Sequence, residues 1–339
     1  MLNQRYRLYA VKQFRIDIID EVIGENDLVV RPEYLSVCEA DKRYYTGSRG
    51  QQVMAKKLPM ALIHEGVGRV IYDPRGEYEK GTRVVMLPNE AYEEDPIIKE
   101  NYLRSSKFHS SACDGFMQEV VVLSRKHVIP FHNVDPQVAV LSEIMSCIYN
   151  AIEHFEKDSH PRRNSIGIWG PGNMGFVTAL ILKKRYPDTR VVLFGLDYDS
   201  MGYFPFVDEK HLVSDIPENL MVDHAFECVG GPGAGNVINQ IIDHINPQGT
   251  INLIGVSNDP VPINTRMVLE KGLNILGNSR SSYQNFRDSV DLLENNPDVC
   301  RYLQTIISNI IEVRSVADMN RAFDFSISHP FKTVMKWEV

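Results

Sequence analysis

Apolar positions in the first 130 residues come in short alternating runs at 27–31, 68–72, 83–87 and 119–123, each broken by Gly, Pro or Asp. Alternation with a period of two turns one face of a pleated strand inward, so these runs predict an antiparallel, barrel-like β-domain. Between 138 and 154 the period lengthens to that of a helix, which leads into text of a different kind. There, strand runs at 164–169, 190–194, 224–228, 250–255 and 273–276 recur, and the first two are separated by an apolar helical run at 176–186 that ends at Pro187. Strands alternating with helices predict an α/β fold with a parallel sheet. Beyond Gly277 the pattern predicts helices at 283–294 and 316–326 and a closing strand at 332–337. The second region already has its strands, so this tail returns to the first. The expected division is 1–145, 146–280 and 281–339, with no internal repeat and no low-complexity linker.

The second region opens on Gly170-Pro171-Gly172-Asn173-Met174-Gly175, placed between a predicted strand and a predicted helix. In a dinucleotide fold the first glycine permits the tight turn, the second lets a pyrophosphate approach the backbone, and the third packs helix on strand. The phosphates then rest on the helix N-terminus. A glycine pattern alone also arises in unrelated turns; the flanking strand and helix and the recurring strand units supply the context. NAD-binding folds usually place an acid about 20 residues past the turn, where it holds the ribose 2′-hydroxyl. Here the next strand ends at Gly195, which carries nothing to repel a 2′-phosphate, and this favours NADPH. Leu196 follows where a cation would complete the signal, Asp197 and Asp199 remain within reach of a ribose, and Arg280 is available to a phosphate of cofactor or substrate.

Composition narrows the partners. A chain of 339 residues with 43% hydrophobic residues is long enough for sizeable cores in more than one domain. Net charge is −8 without a basic stripe, which argues against nucleic acid. The acidic run at 90–95 reads as a solvated loop. No apolar run approaches membrane-spanning length and the N-terminus has no signal-like apolar core, so the expectation is a cytoplasmic protein with no membrane partner. Five cysteines without paired spacing argue against a disulfide framework and leave a thiolate for metal.

Ahead of the glycine turn stand Cys38, His64, Glu65 and Glu143. Thiolate, imidazole and carboxylate are the ligand types of a catalytic zinc, which keeps one position for water or substrate. Their wide spacing is not that of a local finger. Read singly, Cys38 fits a buried apolar position, His64 a satisfied core position, and Glu143 a helix cap or ion pair.

The chain nevertheless resembles the zinc-dependent medium-chain dehydrogenase/reductase family over essentially its whole length. The resemblance is carried by Cys38-Glu39-Ala40-Asp41, Ile63-His64-Glu65-Gly66-Val67-Gly68, Gly81-Thr82-Arg83-Val84, Asp114-Gly115-Phe116-Met117-Gln118-Glu119, the turn at 170–175 and Glu227-Cys228-Val229-Gly230-Gly231. It implies a Rossmann doubly wound parallel sheet joined to a GroES-like antiparallel β-barrel. It also implies zinc on Cys38 and His64, with Glu65 as ligand or neighbour and Glu143 where polyol dehydrogenases place an acidic ligand. Gly170, Gly172, Asn173, Met174, Gly175, Gly195, Cys228, Val229 and Arg280 fall on the cofactor side of this resemblance.

Two departures matter. The stretch 88–113, where many members hold a structural zinc on four cysteines, contains only Cys113, so one zinc is expected and no structural one. Many members also carry a hydroxyl two residues past the ligand cysteine to relay the substrate proton, and here that residue is Ala40. The proton must come from zinc-bound water, Asp41 or a nearby tyrosine.

After the cysteine comes 41–49, rich in cationic and phenolic donors: Arg43, Tyr44, Tyr45 and Arg49. A guanidinium fork matches phosphate, although basic groups that merely face water are as common. This run, with 58–68, 264–266 and 279–281, looks most like the ribulose-5-phosphate reductase branch, whose product, ribitol 5-phosphate, supplies wall teichoic acid or capsule polymers. The implied reaction is hydride transfer from NADPH to the C2 carbonyl of ribulose 5-phosphate, with Arg43 on the phosphate and Tyr44, Tyr45 and Arg49 beside it. Two rivals are an NAD-dependent dehydrogenase of an unphosphorylated polyol, indifferent to the phosphate, and a non-catalytic dinucleotide-binding protein, which would hold NADPH and no zinc. The resemblance also implies a homodimer joined at the edge of the nucleotide-binding sheet, where 250–255 and 273–276 offer strands, and a cytidylyltransferase as partner.

Overall fold

A computed structural model describes residues 1–339. The chain forms two compact units, one of Met1–Ser146 with Ser281–Val339 and the other of Cys147–Arg280. No helix is long and apolar enough to cross a membrane.

The first unit is built on a seven-stranded sheet. Its path runs Val128–Pro130, Arg83–Met86, Glu65–Tyr72, Asp27–Ser36, Lys332–Trp337 and Ile307–Val313, with Val121–Ser124 added to Asp27–Ser36. Pairing is antiparallel except between the last two strands, which are parallel. The tail thus inserts Lys332–Trp337 directly beside Asp27–Ser36. A second, three-stranded sheet comes from the hairpin Leu2–Ala10 and Gln13–Asp20 with Met60–Ala61, which the runs noted above do not include. The aromatics explain its attachment: Phe14 and Phe323 both pack on the Tyr45 ring, and Trp337 sits edge-on to Tyr6 at 5.5 Å.

Two short helices, Glu39–Tyr45 and Gln51–Lys57, interrupt what reads as all-β text. Each has only seven residues, too few turns for a helical period to stand out.

The second unit is a six-stranded sheet with every pairing parallel. Its first strand, Ser165–Trp169, lies in the middle; Arg190–Gly195 and Glu209–Leu212 continue on one side, Val222–Glu227, Ile245–Leu253 and Asn274–Gly277 on the other. That is the doubly wound order, reversing direction at the strand that precedes the glycine turn. Ser165–Trp169 is buried at all five positions, as a strand covered on both faces must be. Trp169 stacks on Phe194 at 3.8 Å and donates from Nε1 to Gln240 at 2.9 Å, so its one polar atom is satisfied.

One expectation is corrected here. Residues 250–255 offer no free edge, because Ile245–Leu253 is paired on both sides; the edge strand on that side is Asn274–Gly277.

Candidate metal centre and nucleotide turn

Cys38 directly precedes the helix Glu39–Tyr45, whose third residue, Asp41, reaches back to accept a hydrogen bond from the Cys38 amide at 3.3 Å. Asp41 is fully buried and also accepts from the Ile63 amide at 3.0 Å and the Ser110 hydroxyl at 2.5 Å. Its other oxygen lies 3.5 Å from His64 Nδ1. A carboxylate on one ring nitrogen orients the imidazole and leaves the other nitrogen for a metal. Burial disfavours the Asp41 charge, yet His64, the Ser110 hydroxyl and the Ile63 amide hold its pKa below the ordinary carboxylate value. Asp41 is therefore enclosed and held toward its charged form, placed to orient His64.

Burial opposes a charged His64, but Asp41 and Cys38 reverse that and raise its pKa well above 6.5. Metal capture must displace that proton.

Glu65 opens strand Glu65–Tyr72 and is fully buried. One oxygen receives the Lys332 ammonium at 2.5 Å; the other, Oε2, is enclosed with no partner. Ligand atoms of Cys38, His64 and Glu65 all lie within 4.8 Å of one another. Zinc held by sulfur, nitrogen and oxygen at about 2.0–2.3 Å needs this closeness, and an orphaned carboxylate oxygen is the donor such an ion would satisfy. Glu143 is the second residue of helix Ser142–Asp158, buried, and its charge acts on Lys332. It stands outside the triad that meets within 4.8 Å.

Backbone strain collects at this centre. Ile63, immediately before His64, has φ +69°, Ser110 has φ +62°, and Phe331, immediately before Lys332, has φ +66°. Bulky residues adopt the left-handed region only where surrounding contacts over-determine it. At Ile63 the amide is held by Asp41 and the carbonyl by the Phe116 amide at 2.7 Å.

The acidic run is exposed at 92–95, as a solvated loop should be, and departs from that reading at Glu90. Glu90 accepts from His109 Nε2 at 2.8 Å and from the Tyr92 hydroxyl at 2.5 Å. Burial works against both charges of the Glu90–His109 pair, but each partner outweighs it: His109, with Cys113 also favouring its charge, is pushed up from 6.5 to about 10, and Glu90 down from 4.5 to about 2. The glutamate's contribution to stability is present above pH 4.5 and lost as pH falls through about 2. The histidine's is present below pH 6.5 and lost as pH rises through about 10. Replacing His109 by glutamine should therefore lower the unfolding temperature most between pH 4.5 and 6.5, and the gap from wild type should close toward pH 10. Thermal unfolding of both proteins across that range checks it; a gap constant with pH counts against the pair.

The basic run past Cys38 is divided by the fold. Tyr45 is fully buried between Phe14 and Phe323, and its hydroxyl serves Asn320 at 3.0 Å and Asp324 at 3.2 Å. It is a core residue, not a phosphate ligand, a correction that burial enforces. Tyr44 is also buried, beneath the Arg49 guanidinium at 4.9 Å. Arg49 is half-buried and its Nε is enclosed without a partner, the mark of a donor suited to an anion. Arg43 is half-buried one turn away, its carbonyl receiving the Arg49 amide at 3.3 Å.

In the second unit, Gly170 adopts φ +109°, and a Cβ there would meet the Cys228 carbonyl at 3.1 Å. A Cβ on Gly175 would lie 1.9 Å from the Gly170 carbonyl oxygen, so strand and helix meet too closely for any side chain. Gly172, directly before helix Asn173–Arg185, has open space where its side chain would be. That open cradle at a helix N-terminus fits a pyrophosphate. Met174 follows Asn173 in the first turn of that helix, and Asn173 Oδ1 is enclosed and unpartnered.

Opposite the turn, buried Glu227 accepts from the Val229 and Gly230 amides at 2.8 and 2.7 Å and so shapes the loop after its strand. Cys228 is buried, and burial together with Glu227 pushes its thiol pKa up, so it is an inert wall; Val229 is 46% exposed. At Gly195 a Cβ would press on Met201 and Pro171 at 3.0 Å. Asp197 caps helix Tyr198–Gly202 by accepting from the Ser200 amide at 2.7 Å. Arg280, at φ +58°, is half-buried.

Four contributors were missed in the sequence: Lys332 and Ser110, which have no local signal, Glu227 as loop former, and Gly115, where a Cβ would meet the Ile63 and Leu62 carbonyls at 2.3 and 2.4 Å. The last two lie inside quoted motifs, where their residue types could have suggested the roles.

A doubly wound nucleotide-binding unit, together with a mainly antiparallel unit carrying a Cys–His–Glu centre, defines a zinc-binding dehydrogenase. Sequence profiles agree: the alcohol dehydrogenase GroES-like domain matches residues 24–133 and the zinc-binding dehydrogenase profile residues 197–295. The chain is 46% identical over 341 residues to the ribulose-5-phosphate reductase of Bacillus spizizenii, covering 100% of both. It is 46% identical over 339 residues to ribulose-5-phosphate reductase 1 of Staphylococcus aureus, covering 99% of each. The crystal structure of S. aureus TarJ in complex with NADPH superposes with a TM-score of 0.89 at 41% identity, covering 100% of both chains. The chain belongs to the zinc-dependent medium-chain dehydrogenase/reductase family, in its ribulose-5-phosphate reductase branch.

Proposed function

We infer that this protein is a zinc-dependent reductase that transfers hydride from NADPH to D-ribulose 5-phosphate, giving D-ribitol 5-phosphate as a precursor for wall teichoic acid or capsule polymers. The observation that carries the reading is the buried Cys38–His64–Glu65 set, with its unpartnered Glu65 oxygen, in a chain 46% identical end to end to ribulose-5-phosphate reductases. Cys38, His64 and Glu65, with Glu143 close by, would hold zinc, whose chemistry there is Lewis-acid polarisation of the C2 carbonyl. The hydride chemistry belongs to the nicotinamide.

The chain's own residues orient and enclose. Asp41 and Ser110 lock the His64 ring, Gly172 and the start of helix Asn173–Arg185 receive the pyrophosphate, and Gly195 sets no charge against a 2′-phosphate. Ala40 has no hydroxyl and Asp41 is sealed, so neither passes the alkoxide its proton.

Arg43 and Arg49 are the phosphate ligands in this reading, and the unpartnered Nε favours Arg49 as much as Arg43. Alanine at either position should cost roughly 1.5–3 kcal/mol of charge-assisted bonding, about 10–100-fold in kcat/KM for ribulose 5-phosphate. Activity on ribulose itself should be nearly unchanged. The assay that tests the whole reading follows NADPH and NADH oxidation with ribulose 5-phosphate, ribulose and xylulose 5-phosphate. Equal rates with and without the phosphate would sink it in favour of an unphosphorylated polyol substrate.

We also place the protein in the cytoplasm, as its five free cysteines suit a reducing compartment. A homodimer would pair through the edge strand Asn274–Gly277, and a cytidylyltransferase would take the ribitol phosphate onward.

A further inference from the structure

The Lys332–Glu65 pair has no part in the reaction as described, yet it lies on the metal centre. The two charged groups touch with side-chain exposures of 3% and 1%. A buried ion pair is a weak source of stability compared with apolar packing, so its presence calls for another reason.

Its construction is specific. Strand Asp27–Ser36 separates the two residues' strands, with Ser36 opposite Glu65 on one side and Val334 on the other. Directly opposed residues share a face, and so do alternate residues along a strand. Lys332, Val334, Ser36 and Glu65 therefore occupy one face of the sheet. Strained backbone precedes both ends: Phe331 before Lys332, and Ile63 before the His64-Glu65 pair.

Charge supplies the reason. A Cys38 thiolate with the Glu65 and Glu143 carboxylates would set three negative charges against a divalent cation. The ligands alone leave a surplus of one negative charge, and the buried Asp41 carboxylate behind His64 adds another. Lys332 is the buried cation on which Glu65, Cys38 and Glu143 all act, and it holds only one of the two Glu65 oxygens.

We propose that Lys332 is a positioning residue and internal counter-cation of the zinc centre: it fixes one Glu65 oxygen so that the other faces the metal, and it offsets part of the negative charge that would weaken the metal's pull on the substrate carbonyl. The inference rests on the zinc reading above and goes one step further, to what tunes that zinc.

The test compares full-length wild type with Lys332→Met, Lys332→Gln and Lys332→Arg, all purified with zinc. Zinc per chain, zinc affinity by chelator competition, the visible spectrum after cobalt substitution, and kcat are measured. Lys332→Met should retain zinc at least as tightly as wild type, because a competing cation has gone, while kcat falls roughly 10–100-fold. Its cobalt spectrum should shift as the second Glu65 oxygen is released, and Lys332→Arg should restore both spectrum and kcat. If Lys332→Met does not fold, Lys332→Gln, which still offers Glu65 a donor but no charge, must show the kcat loss with zinc retained. A variant with lower unfolding temperature but unchanged spectrum and kcat per bound zinc overturns the proposal. Wild type that takes up no zinc overturns the zinc reading itself, a separate result.

Discussion

Replacing Cys38 by serine or His64 by alanine should empty the metal centre and lower kcat for ribulose 5-phosphate reduction by roughly 10³-fold or more, since several kcal/mol of carbonyl polarisation are lost. The loss should be in kcat, because the phosphate contacts proposed for Arg43 and Arg49 lie outside the metal ligands. NADPH should still bind, since the glycine turn belongs to the separate unit Cys147–Arg280. The two variants should differ in stability. Losing the His64 ring leaves the Asp41 carboxylate buried without its cationic neighbour, an uncompensated charge costing about 3–5 kcal/mol. Losing Cys38 removes a smaller share of the support for the His64 charge. Zinc content by metal analysis, NADPH binding by fluorescence and single-turnover reduction together check the prediction. Variants that lack zinc yet keep wild-type kcat would falsify the metal-centred mechanism.

Gly115→Ala should be the most damaging single methyl group in the first unit. A Cβ at Gly115 would stand 2.3 Å from the Ile63 carbonyl oxygen and 2.4 Å from that of Leu62. Both obstacles are backbone, so no rotamer change relieves the clash. The Gly115 amide also donates to the Ala61 carbonyl at 2.7 Å, while Phe116 and Met117 donate to Ile63 and Leu62. These bonds hold residue 63 in its left-handed conformation and so aim His64 and Glu65. Displacing them should cost about 3 kcal/mol, the upper end for overpacking, and reduce zinc affinity with stability. Equilibrium urea unfolding with metal analysis reads both. A stable Gly115→Ala protein with full zinc would show that the loop tolerates a shift the close contacts forbid.

What was legible along the chain follows the range of each interaction. The glycine turn, the helix after it and the strands before and after it depend on neighbours a few residues apart, so period and residue type expose them. The tail's return was also readable, because a sheet that already has its strands leaves Lys332–Trp337 nowhere else to pair. Tyr45 shows the limit. In the sequence it is one phenol in a polar, basic run; only the arrival of Phe14 and Phe323 makes it core. Glu90 shows it again, since it reads as one more solvated acid of its run until His109 folds over it. The strand Ile245–Leu253 looked available for a subunit contact because pairing on both sides is invisible in one strand's own pattern.

The sequence by itself determined the ligand types, their order ahead of the nucleotide turn, the absence of an acid at Gly195 and the absence of a hydroxyl at Ala40, because each is a property of a residue or its near neighbours. The tertiary structure decided which charges are buried together. Asp41 was set against His64 and Ser110, and Glu65 was joined to Lys332, a partner 267 residues away. Burial raises the cost of an unpaired charge from negligible in water to several kcal/mol, so the roles of these groups are set by contacts that exist only once the chain has folded.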